Sequence, residues 1–231
     1  MIPISDNVRG KRIPVATYSL IGINIILFLW ELKLELSGEL SNFIYSWGVI
    51  PSKISLAIAD ATSGNPAAWV VVILSSTSLL AGMFLHGSFS QILGNSLFLW
   101  VFGKSVEKAF GYGKFLSLYL ICGVITGLIQ ILAEPTLKVP LIGANAAIAS
   151  ILGAYAFRFP KAKVDTILPL IIVFIPIEVP ASLYLLWWFL QQLFYSVGSL
   201  NITGGVNPSS AGYWAHAAGI FVGASWARFR S

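Results

Sequence analysis

A few polar side chains interrupt long apolar blocks, and they are the residues in this sequence best able to do chemistry. His86, Gln91 and Asn95 fall close together, Asn145 lies within Gly143-Ala-Asn-Ala-Ala147, and His216 lies within Ala215-His-Ala-Ala-Gly219. Gln91 and Asn95 are four residues apart, so on a helix they share a face, and both carry amide donors. An imidazole such as His216 can take and return a proton near neutral pH. Amide N–H groups can hold a developing oxyanion or the carbonyl of a bound peptide. Asn145 and His216 could equally be plain hydrogen bonds between helices, worth about 1 kcal/mol each. Residue types alone leave both readings open.

The elements that position these groups must cross a membrane. The 231 residues are 57% hydrophobic and 10% charged, where a soluble domain carries roughly 25% charged residues. The apolar blocks run to about 17–25 residues, the length needed for a hydrocarbon core of roughly 30 Å. A transmembrane barrel would show alternating segments of about 10 residues instead. The expectation is an all-α membrane protein, a six-transmembrane-helix bundle with spans near residues 18–34, 88–106, 115–133, 145–157, 180–197 and 211–227. A segment of residues 1–17 precedes this single domain of residues 18–231, and a long first loop lies at the outer interface.

Charge sets the expected topology. Of the 14 basic residues, Arg9, Lys11, Arg12, Lys104, Lys108, Lys114, Arg158, Lys161, Lys163, Arg228 and Arg230 fall on one side of such a bundle, against Lys33, Lys53 and Lys138 on the other. The positive-inside rule then puts both termini in the cytoplasm. The basic residues form short clusters and no stripe, which argues against nucleic acid as a partner. The apolar stretch Ala67 to Leu85 is long enough to span, but spanning would invert every later loop, so it is expected to lie in the outer interface. The run from Val164 to Val197 is too long for one helix; Pro176 and Pro180 divide it, placing Glu178 beside the N-terminus of the fifth span, where a carboxylate is favoured. Residues 1–17 carry no pattern of a removable signal peptide. The single Cys122 offers no disulfide and no cysteine-based metal site, and no cofactor is implied. No internal repeat of the kind seen in transporters is present.

Small residues explain how the polar groups could meet. Gly219 and Gly223 form a small-xxx-small step that lets the last span approach a neighbour closely. Gly143, Ala144, Ala146, Ala147, Ala149 and Gly153 offer that neighbour around Asn145. With spans two, four and six each carrying polar groups toward the outer end, the expectation is one wet cavity.

At these residues the chain resembles the rhomboid family of intramembrane serine proteases. Rhomboids carry His-Gly-Ser-Phe-x-His-x-x-x-Asn leading into the second span, a Glu-x-x-x-Gly-x-x-x-Phe-Leu-x-x-Tyr loop, Gly-x-Ser-Gly opening the fourth, and Ala-His-x-x-Gly-x-x-x-Gly in the sixth. Here the order reads His86-Gly-Ser-Phe-Ser-Gln91-Ile-Leu-Gly-Asn95, then Glu107-Lys-Ala-Phe-Gly111-Tyr-Gly-Lys-Phe115-Leu-Ser-Leu-Tyr119, then Gly143-Ala-Asn145-Ala, then Ala215-His216-Ala-Ala-Gly219-Ile-Phe-Val-Gly223. The resemblance covers about residues 45 to 228.

By that resemblance His216 is the general base and Asn145 stands at the nucleophile position, where the family has serine. Gln91, Asn95 and His86 belong to the oxyanion and binding corner. A carboxamide has no hydroxyl to give up, so no acyl-enzyme forms at Asn145. Ala146 and Gln91 also replace the family's glycine and histidine. Ser150 is five residues on, about 7.5 Å along the helix axis and roughly 140° around it, which places it deeper and on another face. The resemblance implies a rhomboid-like pseudoprotease in the plasma or another inner membrane, whose partners are transmembrane segments of other membrane proteins and the lipid bilayer. Peptidase activity through an unorthodox nucleophile is the alternative.

Overall fold

The computed structural model describes residues 1–170, 173–198 and 213–230. Its helices are α1 (Val15–Leu36), α2 (Leu40–Trp47), α3 (Pro51–Thr62), α4 (Ala68–Phe84), α5 (Phe89–Phe110), α6 (Tyr112–Ala133), α7 (Asn145–Arg158), α8 (Ala181–Gly198) and α9 (Tyr213–Arg230). Among the described residues, α1 and α6 are each long and apolar enough to cross a membrane, and α4 with α5 make a third such span if counted as one element bent by 79°. Single π-turns at Leu99–Gly103 and Leu118–Cys122 widen α5 and α6. Their residues Leu99, Phe102, Leu118 and Tyr119 are fully buried against Ile151 and Tyr155 of α7, forming the centre of the core.

A carboxylate fixes the entry of α1. Glu107, buried near the end of α5, accepts the backbone N–H groups of Ala16 and Thr17 at 2.9 and 2.7 Å and the Thr17 hydroxyl at 2.7 Å. The first N–H groups of a helix have no partner within it, and a negative charge there also meets the helix dipole favourably. Glu107 opens the Glu-x-x-x-Gly loop, and Gly111 in that loop turns the chain at φ +85°.

Helices α7 and α9 approach each other closely. A Cβ at Gly153 would strike the Ile220 carbonyl, and one at Gly223 would strike the Ser150 carbonyl. Only glycine lets these backbones meet so closely. Asn145 and His216, at the starts of α7 and α9, line the same space, and Gly219 in the second turn of α9 meets Ala146 and Ala149 in the first turns of α7. The two helices therefore start side by side and run in the same general direction.

The protein is not wholly helical. Three antiparallel strands, β1 (Ile2–Asp6), β2 (Lys163–Leu170) and β3 (Val173–Pro180), form a sheet in the order β1-β2-β3. Ile2 pairs with Ile167 and Asp6 with Val164, and Lys163 pairs with Pro180. Val164 and Thr166 are buried while Lys163 and Asp165 are exposed, the alternation of a half-buried strand. Prolines at Pro3 and Pro176 withhold N–H groups on the two edge strands, which blunts further strand addition. The sheet departs from the all-α expectation in three places. Residues 1–17 contribute a strand, and the apolar run after Val164 begins as a hairpin. Glu178 lies on β3, exposed, in a 2.6 Å ion pair with Lys163, and not at a helix N-terminus.

The N-terminal strand is tied to two helices. The Ser105 hydroxyl of α5 donates to Asp6 at 2.7 Å, and the Tyr184 hydroxyl of α8 donates to the Met1 carbonyl at 3.4 Å. Beside this tie, Phe98 and Phe102 of α5 stack against Tyr184 of α8 at 6.4 and 5.7 Å between ring centroids.

Candidate functional site

Between α5, α6, α7 and α9 lies a cavity of about 650 Å³. Gln91, Asn95, Gly143, Asn145 and His216 all line it, joined by Ser88, Ser90, Gln130 and Trp188. Residues separated by more than a hundred positions in the chain thus share one space.

Asn145 is the first residue of α7. The loop before it, from Val139 to Gly143, forms part of the cavity wall, and Gly143 turns at φ +111°, a backbone conformation that disfavours any residue with a Cβ. The Gly143 N–H donates to the Gly82 carbonyl at 2.8 Å. His216 lies one helical turn ahead of Gly219, and Gly219 faces Ala146 and Ala149. Since α7 and α9 run in the same direction, that turn brings His216 level with Asn145. The His216 ring also faces Trp188 of α8, with centroids 6.2 Å apart.

Gln91 and Asn95 share the cavity but not the same state. The Gln91 carboxamide is committed: its Oε1 accepts the Gly87 N–H at 2.8 Å, and its Nε2 donates to the Ile142 carbonyl at 3.0 Å. It staples the start of α5 to the loop before Asn145. Asn95 is buried, and its Nδ2 has no hydrogen-bond partner. A buried amide without a partner costs about 1–3 kcal/mol, so this donor is the atom in the cavity best placed to reward a ligand carbonyl or carboxylate.

His86 lies beside the cavity and is not among the residues that line it, whereas its neighbour Gly87 is. His86 is 1% exposed and sits in the bend between α4 and α5. Its backbone N–H donates to both carboxylate oxygens of Glu31 at 3.0 and 3.1 Å, and its Nδ1 lies 3.2 Å from the Phe84 carbonyl. Glu31, buried near the end of α1, is a residue that sequence reasoning missed. It lies at the edge of the first apolar block, where it looks like an interface residue.

Ser150 is buried and faces α9, and its hydroxyl donates to the Ala146 carbonyl at 3.2 Å. It does not line the cavity. Ser88 and Ser90 do, with their hydroxyl oxygens 3.0 Å apart, and the Ser88 oxygen accepts the Gln91 N–H at the start of α5. Among the described residues no three His, Cys, Asp or Glu side chains converge as a metal centre would require. The chemistry on offer is therefore an imidazole, carboxamides and hydroxyls in an apolar chamber.

The sequence is similar to those of known proteins. The rhomboid domain profile matches residues 75–231. Rhomboid protein 1, mitochondrial, of Saccharomyces cerevisiae is 26% identical over 152 residues, 64% of this chain and 37% of the yeast protein. Rhomboid protease GluP of Bacillus subtilis is 27% identical over 149 residues, 64% of this chain and 25% of that protein. The human presenilin-associated rhomboid-like protein, mitochondrial, is 29% identical over 129 residues, 55% of this chain and 31% of the human protein. The matched region spans between a quarter and two fifths of these relatives' length. The matched domain takes in the bend before α5, the cavity lining from Gly82 to His216 and the α7–α9 crossing, and on that match this chain is an integral membrane protein of the rhomboid family.

Proposed function

We propose that this protein is a rhomboid-like pseudoprotease, which binds transmembrane segments of client membrane proteins through the cavity between α5, α6, α7 and α9. The observation that carries the reading is Asn145. It opens α7 at the cavity wall, level with His216, at the position where the family has its serine. A carboxamide there offers hydrogen bonds and no nucleophile. The Gln91 staple supports the same reading, because a carboxamide bonded at both its oxygen and its nitrogen is held as architecture. Asn95 keeps one unpaired donor for a ligand. Clients reach the cavity laterally, past the aromatic contacts of Phe98 with Trp188 and Tyr184 between α5 and α8.

The proposal includes six transmembrane helices, with α4 lying in the outer interface and both termini in the cytoplasm of a cell whose plasma or other inner membrane holds the protein. The 79° bend before α5 and the distribution of Lys and Arg support this topology.

Ser88 and Ser90 in the cavity lining favour a second reading, an active endopeptidase with an unorthodox nucleophile. Cleavage of a fluorogenic transmembrane substrate by the purified protein tests both. Silence from the native protein, with activity in the Asn145→Ser/Ala146→Gly/Gln91→His variant, is the expected result. Native cleavage that disappears in His216→Ala would replace the pseudoprotease with the second reading, and Ser88→Ala and Ser90→Ala would then find the nucleophile.

A further inference from the structure

Gln130 is a buried carboxamide on α6, 1% exposed, that borders the cavity. Its Oε1 accepts the backbone N–H of Ala215 at 3.1 Å, and its Nε2 donates to Glu134 Oε2 at 2.6 Å. Ala215 is in the first turn of α9 and immediately precedes His216. The opening N–H groups of a helix lack partners within it, so α6 supplies from outside the acceptor that α9 lacks.

The orientation of the Gln130 amide matters. Flipped by half a turn, it would present its NH₂ group to the Ala215 N–H, donor against donor. Glu134 lies four residues on, at the end of α6, and its carboxylate is an acceptor that holds the NH₂ group to itself. That leaves the Gln130 carbonyl oxygen facing α9.

We propose that Gln130 and Glu134 are a positioning pair that sets the first turn of α9 and, through it, the pose of His216 in the cavity. This rests on the cavity being the functional site, but its test does not depend on what the cavity does. The chain has two histidines, His86 and His216. Histidine-selective isotope labelling of the protein in micelles therefore gives two sets of ring resonances, assigned with His216→Gln and His86→Gln.

Glu134→Leu should move the His216 ring resonances by well over a linewidth and leave those of His86 in place. Glu134→Gln retains a carbonyl acceptor and should hold His216 near its native position, whereas Gln130→Leu should move it as Glu134→Leu does. His216 resonances unmoved in both leucine variants would overturn the proposal, as would equal movement of both histidines, the sign of general loosening. Failure of client binding in the native protein would leave these shifts untouched and count only against the proposed function.

Discussion

The side chain of Gln91 occupies the space that any side chain at Gly143 would need. A Cβ there would collide with Gln91 Nε2, the atom that donates to the Ile142 carbonyl. Gly143→Ala therefore meets two costs, the collision and its own φ of +111°. Overpacking costs about 1–3 kcal/mol, and the strained backbone adds about 1–2 kcal/mol. Thermal unfolding in micelles should show Gly143→Ala clearly destabilised. Gln91→Ala forfeits its own two hydrogen bonds, so the comparison is made in that background, where Gly143→Ala should cost only the backbone part. Equal stability of Gln91→Ala and the double variant would mean that the backbone conformation carries no penalty.

Glu107 joins the end of α5 to the start of α1 through three hydrogen bonds. Hydrogen bonds to charged groups contribute about 1.5–3 kcal/mol, and stranded buried donors are costly. Glu107→Ala should lower stability by about 2–4 kcal/mol, and Glu107→Gln, which keeps one acceptor, by roughly half as much. Reversible unfolding monitored by tryptophan fluorescence would measure the order. Equal losses in the two variants would show that charge, and not acceptor geometry, is what α1 requires.

Glu31 offers a parallel case with a different consequence. Both of its oxygens accept the His86 N–H, at the bend from which α5 starts. Glu31→Ala strands that buried donor, at a cost of about 1–3 kcal/mol, whereas Glu31→Gln retains a carbonyl for it. The alanine variant should melt below the glutamine variant. Because Gly87, the next residue, donates to Gln91, the loosened bend should also speed hydrogen exchange at Gly87. Exchange there as slow as in the native protein would uncouple the bend from the cavity mouth.

What was legible in the sequence follows from the range of the interactions. Asn145, Gln91, Asn95 and His216 stood out because each is a polar residue in an apolar block, and lipid penalises that wherever it occurs. The same criterion picks out Gln130, the signal by which it could have been found. β1 was illegible because its five residues pair across some 160 positions with Val164 to Ile167, and no local pattern announces such a partner. In β2 the alternation Lys163-Val-Asp-Thr166 is brief, and the unbroken apolar run after it reads equally well as helix or strand. The bond from Gln91 to Ile142 also depends on a loop carbonyl, which residue types do not reveal.

The crossing of α7 and α9 gives the sharpest comparison, because the chain carries its own control. At Gly223 and Gly153 a Cβ would meet backbone carbonyls of the opposite helix, which cannot swing aside, whereas at Gly22 in α1 nothing lies within 4 Å. Helical glycine costs about 0.5–1 kcal/mol relative to alanine, so Gly22→Ala should be neutral or slightly stabilising. Gly223→Ala must instead push the helices apart, and the core of Ala147, Ile151 and Ala227 would loosen with them; a loss of about 2–4 kcal/mol is expected, between the cost of overpacking and that of an opened cavity. At Gly219 the obstacles are the Ala149 methyl and the Ala146 carbonyl, on the turn that leads to Asn145. Gly219→Ala should therefore change the environment of His216 more than Gly223→Ala does, for less lost stability. Melting curves of the three alanine variants, read beside the His216 ring resonances, separate these effects. Equal stability of Gly22→Ala and Gly223→Ala would show that the helices stand further apart in the membrane than their glycines imply.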